Sequence, residues 1–295
     1  MLRLLLAALL LGCSSCAHAD GFAQRLDILL TNDDGYEAAG LRTLRAALEA
    51  EGHAVSVVAP AEDRSGSSVS ITTRGTLSWR EVEPGVVAVD GTPADCVRLA
   101  FTTLRDGPPD LVVSGINFGQ NVGSRMLSSG TVGAALTSAS LGVPAIAVSQ
   151  AVDPNDIRGT ERYFPAAAAF AVRLVRALRA EQPGPLLSRG MALNVNHPPR
   201  LAADVQGVKL TRQGRSTLYS LLYTRRGEAA VSMAFVPNSE EETVPDADTA
   251  ALAEGYVSVT PLEGSWTADA AFEHLRGLAK TLDALASGGA AAAAR

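Results

Sequence analysis

The chain has 295 residues, of which 47% are hydrophobic and 19% are charged. This composition excludes a disordered chain, and the length allows one large domain or two small ones. The 25 basic and 31 acidic residues give a formal net charge of −6. Because the backbone of a nucleic acid requires a basic surface, we expect no nucleic-acid polymer as a partner.

The N-terminal segment, residues 1–19, has the layout of an export signal. Arg3 precedes the apolar run 4–11, which is shorter than the ~20 residues of a bilayer-spanning helix, and small residues follow it. Two processing sites fit the pattern: a lipobox that would make Cys13 a lipidated N-terminus, and an A-x-A site at residues 17–19. We therefore predict an exported, periplasmic protein that meets the membrane only through such a lipid anchor. The alternative is the apolar N-terminus of a cytosolic protein.

The cysteines add little to the folded part of the chain. Cys13 and Cys16 lie in or beside the export signal, so only Cys96 belongs to the remainder. This excludes a disulfide framework and a Cys-x-x-Cys metal site there. We predict one domain over residues 20–287, followed by a low-complexity tail at 288–295.

From residue 26 onward, short apolar runs alternate with amphipathic stretches, which is typical of parallel β/α layering. The predicted strands cover residues 26–31, 53–59, 110–114, 144–149, 191–196 and 256–262. The predicted helices cover residues 40–51, 92–104, 129–141, 163–180, 247–254 and 267–286. We predict a loop over residues 151–160 and an antiparallel ribbon over residues 216–236. The alternation predicts an α/β fold with a mostly parallel, doubly wound sheet that binds ligands at the carboxyl ends of its strands.

Two adjacent acidic residues, Asp33 and Asp34, follow the first predicted strand. Neighbouring side chains of a strand point to opposite faces, but Gly35 permits a turn that would bring both carboxylates together. Two carboxylates about 4 Å apart repel by ~4 kcal/mol at an effective dielectric near 20. A hard divalent cation such as Mg²⁺ or Mn²⁺ would relieve that repulsion. The alternative is that Asn32 or Asp34 caps the following helix.

Two further segments offer neutral oxygen atoms after the second and third strands. The polar loop 59–72 contains Ser65, although the same loop also reads as a turn into a hairpin. The segment VVSGINFGQNVG, residues 112–123, contains Asn117 and Asn121, and amide oxygens coordinate hard cations without adding charge. Its glycines do not form the GxGxxG fingerprint of dinucleotide-binding proteins.

The segment SSGTVGAAL, residues 128–136, reads as the beginning of a helix. Free N–H groups and the helix dipole favour a phosphate there, with Ser129 and Thr131 as extra donors. The alternative is a well-capped helix whose small residues allow close packing. Because all four segments follow strands of one sheet, they should share one edge, where they predict an acidic metal site beside a phosphate site.

These motifs resemble the SurE family of survival-protein phosphatases, which are metal-dependent 5′/3′-nucleotidases. The resemblance is carried by TNDDG (31–35), VVAPAEDRSGSS (57–68), GTPADCV (91–97), SGIN (114–117), SGTVGAA (129–135), LNVNHP (193–198) and EGYVSVTPL (254–262). It extends from about Leu26 to Leu282. One departure is Glu37-Ala38-Ala39-Gly40, where the family usually has His-Ala-Pro-Gly, so contacts at the mouth of the site are expected to differ.

The resemblance implies a Rossmann-like fold of three layers with an extended β-hairpin and a C-terminal element, both of which mediate homodimers or homotetramers. It also implies one divalent cation per subunit, held by Asp33, Asp34, Ser65 and Asn117. The expected activity is phosphate release from nucleoside monophosphates, and in some members from polyphosphate.

We therefore predict a phosphomonoesterase in which Asp33 and Asp34 are catalytic and Asp34 is the favoured proton acceptor. The predicted phosphate ligands are Asn121, Ser129, Gly130 and Thr131. An exported protein that binds a phosphorylated ligand without turnover is the main alternative, and a dinucleotide oxidoreductase is a weaker one. Phosphate release would separate the first two functions, and a nicotinamide-dependent absorbance change would reveal the third.

Overall fold

A computed structural model describes residues 25–180, 186–238, 240–265, 267, 271–272 and 275–278 of the chain. The strands are β1 (Asp27–Thr31), β2 (Ala54–Pro60), β3 (Trp79–Glu83), β4 (Val86–Val89), β5 (Leu111–Phe118), β6 (Ala145–Gln150), β7 (Met191–His197), β8 (Val208–Leu210), β9 (Tyr219–Arg225), β10 (Val231–Pro237) and β11 (Val257–Glu263). The α-helices are α1 (Ala39–Ala50), α2 (Pro93–Leu99), α3 (Gly130–Ser140), α4 (Phe164–Ala180) and α5 (Asp248–Ala253).

Nine strands form one sheet in the order β3-β4-β2-β1-β5-β6-β7-β11-β8. Six of them are mutually parallel, whereas β3, β8 and β11 run in the opposite direction. From β1 the chain first adds strands on one side and then returns to place β5 on the other side. The point between β1 and β5 is therefore the topological switch point, where open α/β sheets bind their ligands.

The helices cover both faces of this sheet, which gives the predicted three layers. On β1, Ile28 and Leu30 point to one face and Leu29 to the other, as the alternation of a strand requires. The first face packs against Leu44 of α1 and other apolar residues of α1 and α4. The second packs against Val132 of α3 and the neighbouring helix α2. The predicted doubly wound, mostly parallel fold is confirmed.

The structure differs from the sequence prediction at several boundaries. Strands β3, β4 and β8 were not predicted, because β3 and β8 are edge strands with mostly exposed side chains and β4 has only four residues. The helix predicted over 92–104 ends as an α-helix at Leu99 and continues as a π-helical turn to Leu104. The predicted loop 151–160 ends in a 3-10 turn, Arg158–Tyr163.

Strand β5 is longer than predicted, because Gly115 does not end it. The strand continues to Phe118 and keeps its pairing with β6 across a register shift, and the Gly115–Ile116 peptide bond is cis. A Cβ at Gly115 would lie 2.3 Å from the carbonyl oxygen of Val148, so only glycine allows β6 to approach here. The extension carries Asn117 on the strand itself.

Strands β9 and β10 pair with each other in a separate antiparallel hairpin, as predicted for residues 216–236. The predicted C-terminal helix 267–286 lies mostly outside the described residues, of which 271–272 and 275–278 are helical. The predicted export signal and the tail 288–295 also lie outside them. Within the part of the chain that the structure describes, no helix is both long and apolar enough to cross a membrane.

Candidate active site

The turn after β1 places the two aspartates at the carboxyl edge of the sheet. The side-chain amide of Asn32 donates to the carbonyl oxygen of Gly35 at 2.8 Å, and Gly35 has a φ of 100° that favours glycine. Asp33 is buried and accepts a hydrogen bond from the Thr131 hydroxyl at 2.6 Å. Asp34 accepts one from the backbone N–H of Phe118 at 3.2 Å. Asp33 therefore faces the beginning of α3, and Asp34 faces the end of β5.

Neither aspartate nor Asn32 caps the next helix. The N-cap of α1 is Ala38, which makes no side-chain capping bond. The capping alternative for this segment is therefore wrong, because the turn from residue 32 to residue 35 closes on itself before the helix begins. The carboxylates are left for another role.

The surroundings of both carboxyl groups disfavour the charged form and raise the pKa. Burial raises the pKa of Asp33, while the hydrogen bond from Thr131 opposes that rise. Burial, and then the neighbouring charge of Asp33, raise the pKa of Asp34 to about 7. Asp63 adds negative charge to both. Within the described residues, neither aspartate forms an ion pair with a basic side chain, so the pair lacks a compensating cation there.

The loop after β2 packs against both the acidic turn and the beginning of α3. The backbone N–H of Arg64 donates to the carbonyl oxygen of Asp33 at 2.7 Å, and that of Ser68 donates to Ser128 at 3.2 Å. A Cβ at Gly133 of α3 would lie 1.9 Å from the carbonyl oxygen of Ser68. These contacts hold Ser65 at the cavity described below. The loop also leads into the β3–β4 hairpin, as its turn residues predicted, while the role of Ser65 as a metal ligand stays a prediction.

Asn117, near the end of β5, is buried and lines the same cavity. Its side-chain nitrogen donates to the carbonyl oxygen of Gly119 at 2.6 Å. This bond fixes the amide orientation, and in the described part of the chain no donor contacts the side-chain oxygen, which stays an available acceptor. An amide oxygen held this way is a suitable neutral ligand for a hard cation.

Helix α3 begins directly beside Asp33. Ser129 is its N-cap and accepts from the backbone N–H of Val132 at 3.1 Å, so the predicted cap is confirmed. Thr131 is fully buried and donates to Asp33. A Cβ at Gly130 would lie 2.7 Å from the Ser67 hydroxyl and 2.8 Å from the Asp33 Cβ. Glycine at 130 therefore allows the positive end of the helix to approach the acidic pair.

A network of amide side chains supports Asn121. The side-chain nitrogen of Asn121 donates to the Ser149 hydroxyl at 2.9 Å, and it lies 3.4 Å from the Thr131 hydroxyl. The side chain of Asn196 accepts from the backbone N–H of Asn121 at 2.7 Å and donates to its carbonyl oxygen at 3.1 Å. Asn194 also donates to that carbonyl, at 2.8 Å. The network joins β6 and β7 to Asp33 through Thr131.

A cavity of about 590 Å³ lies over this edge of the sheet. We call the part lined by Asp33, Ser65, Asn117, Asn121 and Ser129 the polar end. We call the part lined by residues of the loop after β6 and of the hairpin the apolar end; they are Val152, Pro154, Ile157, Tyr219, Phe235 and Pro237. Phe118 and Arg125 also line the cavity, whereas residues 37–40, where the sequence departs from the family motif, do not.

Sequence reasoning missed Asn194, Asn196 and the residues of the hairpin. The alternation in LNVNHP places both asparagines on one face of a strand, and that signal was available. No comparable signal marks Phe235, because it lies outside every motif and its position depends on how the hairpin folds back.

The fold and the site define an α/β protein with an acidic pair beside a helix N-terminus at the switch point of its sheet. The family model described as "Survival protein SurE" matches residues 28–220. The chain belongs to the SurE family. Nucleotidases of this family are in general metal-dependent.

Two relatives and one solved structure are similar to this chain over most of its length. A protein of Burkholderia lata named 5′-nucleotidase SurE 1 is 42% identical, over 84% of this chain and 95% of its own. A 5′/3′-nucleotidase SurE of Serratia proteamaculans is 39% identical, over 83% and 92%. The crystal structure of the SurE protein from Aquifex aeolicus has a TM-score of 0.70 and 34% identity, and the match covers 85% of this chain and 98% of that one.

Proposed function

We propose that this protein is a divalent-metal-dependent phosphomonoesterase that releases phosphate from nucleoside 5′- and 3′-monophosphates. The observation that carries the proposal is the 2.6 Å hydrogen bond between Thr131, in the first turn of α3, and the buried carboxylate of Asp33. It joins the proposed phosphate site to an acidic pair that has no basic partner among the residues that the structure describes. The names of the relatives, 5′-nucleotidase and 5′/3′-nucleotidase, support the same activity.

The residues at this edge fit a hard divalent cation. Asp33 and Asp34 supply charge, and both have a raised pKa, which a bound cation would reverse. Ser65 and Asn117 line the same cavity as Asp33 and supply neutral oxygens. These four are the proposed ligands of one ion per subunit, and this all-oxygen set favours Mg²⁺ or Mn²⁺ over softer metals.

When bound, the cation would withdraw charge from the phosphoryl group and lower the pKa of a coordinated water. The backbone N–H groups of Gly130 and Thr131 would hold the phosphate oxygens as negative charge develops, helped by the positive end of α3. Asn121 lines the cavity beside that position, although its backbone N–H and its side-chain nitrogen already donate to Asn196 and Ser149. Ser129 borders the phosphate position, although its oxygen already accepts from Val132.

Asp34 is the proposed proton acceptor for the attacking water. The hydroxyl of Thr131 donates to Asp33 and commits that carboxylate to one orientation, whereas Asp34 accepts only a 3.2 Å backbone bond among the described contacts. Asp34 therefore retains more freedom to accept a proton.

A phosphate-release panel tests the proposal. The purified protein is assayed on nucleoside 5′- and 3′-monophosphates, polyphosphate and sugar phosphates, with EDTA and after addition of Mg²⁺ or Mn²⁺. We expect release from the monophosphates that EDTA abolishes and a divalent ion restores. Tight binding of these ligands without phosphate release under any metal would instead indicate a binding protein.

We also propose that residues 1–19 direct export to the periplasm and that the mature protein forms a homodimer or homotetramer. The assembly is supported by exposed apolar side chains of the β9–β10 hairpin, such as Leu222, Tyr223 and Val231. Cell fractionation with a lipid-labelling assay tests the first statement and separates lipidation at Cys13 from cleavage after residue 19. Light scattering tests the second, and a monomer at micromolar concentration would contradict it.

A further inference from the structure

The apolar end of the cavity contains side chains that the acidic site does not use. Tyr219, Phe235 and Pro237 reach it from the β9–β10 hairpin, and Ile157 comes from the loop after β6. The cavity volume of about 590 Å³ is typical of sites that bury a ligand larger than phosphate. A phosphate held at the N-terminus of α3 would leave this end free for the rest of a substrate.

Arg125 and Phe235 form a pair in the lining of the cavity. The guanidinium carbon of Arg125 lies 4.5 Å from the centroid of the Phe235 ring, which is a cation–π contact. Both residues line the cavity. Arg125 is the only basic side chain in that lining, and it forms no ion pair in the part of the chain that the structure describes.

We propose that Arg125 and Phe235 form the nucleobase subsite and thereby determine the preference for nucleotides over other phosphate esters. The proposal rests on the phosphomonoesterase function given above. With the phosphate at the polar end, the base would lie at the apolar end against the Arg125–Phe235 pair. Ile157 and Tyr219 would complete its apolar surroundings.

The chemistry of these side chains suits a nucleobase better than a sugar or a polyphosphate chain. Unstacked bases bind to aromatic rings and to the planes of arginine guanidinium groups. Arg125 is held against the ring, so less of its side-chain freedom remains to be lost on binding. A sugar phosphate without a base would reach the polar end but not this pair.

The test compares AMP with ribose 5-phosphate, which has the same phosphate ester but no base. In Phe235→Ala we expect kcat/KM for AMP to fall about tenfold, mainly through KM, because base–aromatic stacking is lost. The value for ribose 5-phosphate should change less than about twofold. Arg125→Gln should lower the AMP value in the same selective way and by a smaller factor.

The matched control is Met233→Ala, on the same face of β10 two residues before Phe235. Met233 is 66% exposed and does not line the cavity, so both substrates should keep their kcat/KM values. Phe235→Leu retains apolar bulk without the ring and should still lose selectivity for AMP. It therefore separates loss of stacking from collapse of the hairpin, which circular dichroism monitors in each variant.

Equal losses on both substrates in Phe235→Ala and Phe235→Leu, or no loss on either, would overturn the subsite. If the wild-type protein hydrolyses neither compound, the phosphomonoesterase function fails, and calorimetric binding of AMP and ribose 5-phosphate then decides the subsite alone. Selective weakening of AMP binding in Phe235→Ala would support it. Equal binding of AMP by the variant and the wild-type protein would contradict it.

Discussion

The two ends of the cavity are built in different ways. At the polar end, Asp33 and Thr131 are buried and joined by a short hydrogen bond between the β1 turn and α3. At the apolar end, Phe235 is 59% exposed and belongs to a two-stranded hairpin outside the main sheet. We thus assign the reaction to the buried switch point of the sheet and the selectivity for the substrate to the separate hairpin.

The largest expected effect comes from Asp33→Asn. This change keeps the size of the side chain but removes one charge from the proposed cation site. Phosphate release from AMP should fall by about a thousandfold, because a bound cation supplies several kcal/mol to the transition state and each 1.4 kcal/mol is tenfold. The measurement is kcat/KM with saturating Mn²⁺.

The control for this variant is Asp106→Asn. Asp106 is exposed and precedes β5, at the opposite edge of the sheet from the acidic pair. Its activity should equal that of the wild-type protein. Full activity in Asp33→Asn would remove the acidic pair from the mechanism.

Thr131→Val tests whether the hydrogen bond to Asp33 contributes to catalysis, because valine has nearly the shape of threonine without the hydroxyl. Asp33 would lose its 2.6 Å hydrogen bond, and a hydrogen bond to a charged group is worth about 1.5–3 kcal/mol. We expect kcat to fall by about 10- to 100-fold. Thr137→Val removes a hydroxyl that donates only to Gly133 of the same helix, and it should keep its activity. Similar losses in both variants would mean that helix packing, not Asp33, is responsible.

The raised pKa of Asp34 predicts how pH changes the effect of metal on stability. The pKa rises from its usual 3.8 to about 7, so the metal-free folded protein holds this proton more tightly than the unfolded chain does. Stability from that proton is complete below about pH 4 and is lost as pH rises through about 7. Because a cation would replace the proton, Mn²⁺ should raise Tm little near pH 5 and most near pH 8.

Scanning calorimetry with EDTA and with Mn²⁺ across this pH range measures the effect. In Asp34→Asn the pH dependence of the Tm shift should flatten. A metal-induced Tm shift that is equally large at both ends of the range in the wild-type protein would contradict the assigned role of Asp34.

The smallest expected effect at the polar end comes from Ser129→Ala. Because Ser129 caps α3 through the N–H of Val132, its loss should lower the free energy of unfolding by about 1 kcal/mol. Activity should fall much less than in Thr131→Val. Ser140→Ala, at the other end of the same helix, is the control for stability in urea unfolding. A larger loss of activity in Ser129→Ala than in Thr131→Val would make the Ser129 hydroxyl the main phosphate ligand.

Local motifs predicted the polar end because each of its side chains follows a strand end in the sequence. Asp33, Ser65, Asn117 and Thr131 could be placed at one edge once the strands were recognised, since parallel strands align their carboxyl ends. The extent of β5 was not predictable, because Gly115 is typical of a strand end and its pairing depends on the close approach of β6. The contact between Phe235 and Arg125 depends on the tertiary position of the hairpin.

Direct titration with Mn²⁺, followed by electron paramagnetic resonance, tests the central claim that the acidic pair at the switch point holds a catalytic cation. The wild-type protein and Asp106→Asn should each bind one Mn²⁺ per chain, and removal of that ion should abolish phosphate release from AMP. Asp33→Asn should lose most of the binding. Unchanged Mn²⁺ binding in Asp33→Asn, or phosphate release that persists without any divalent ion, would contradict the account.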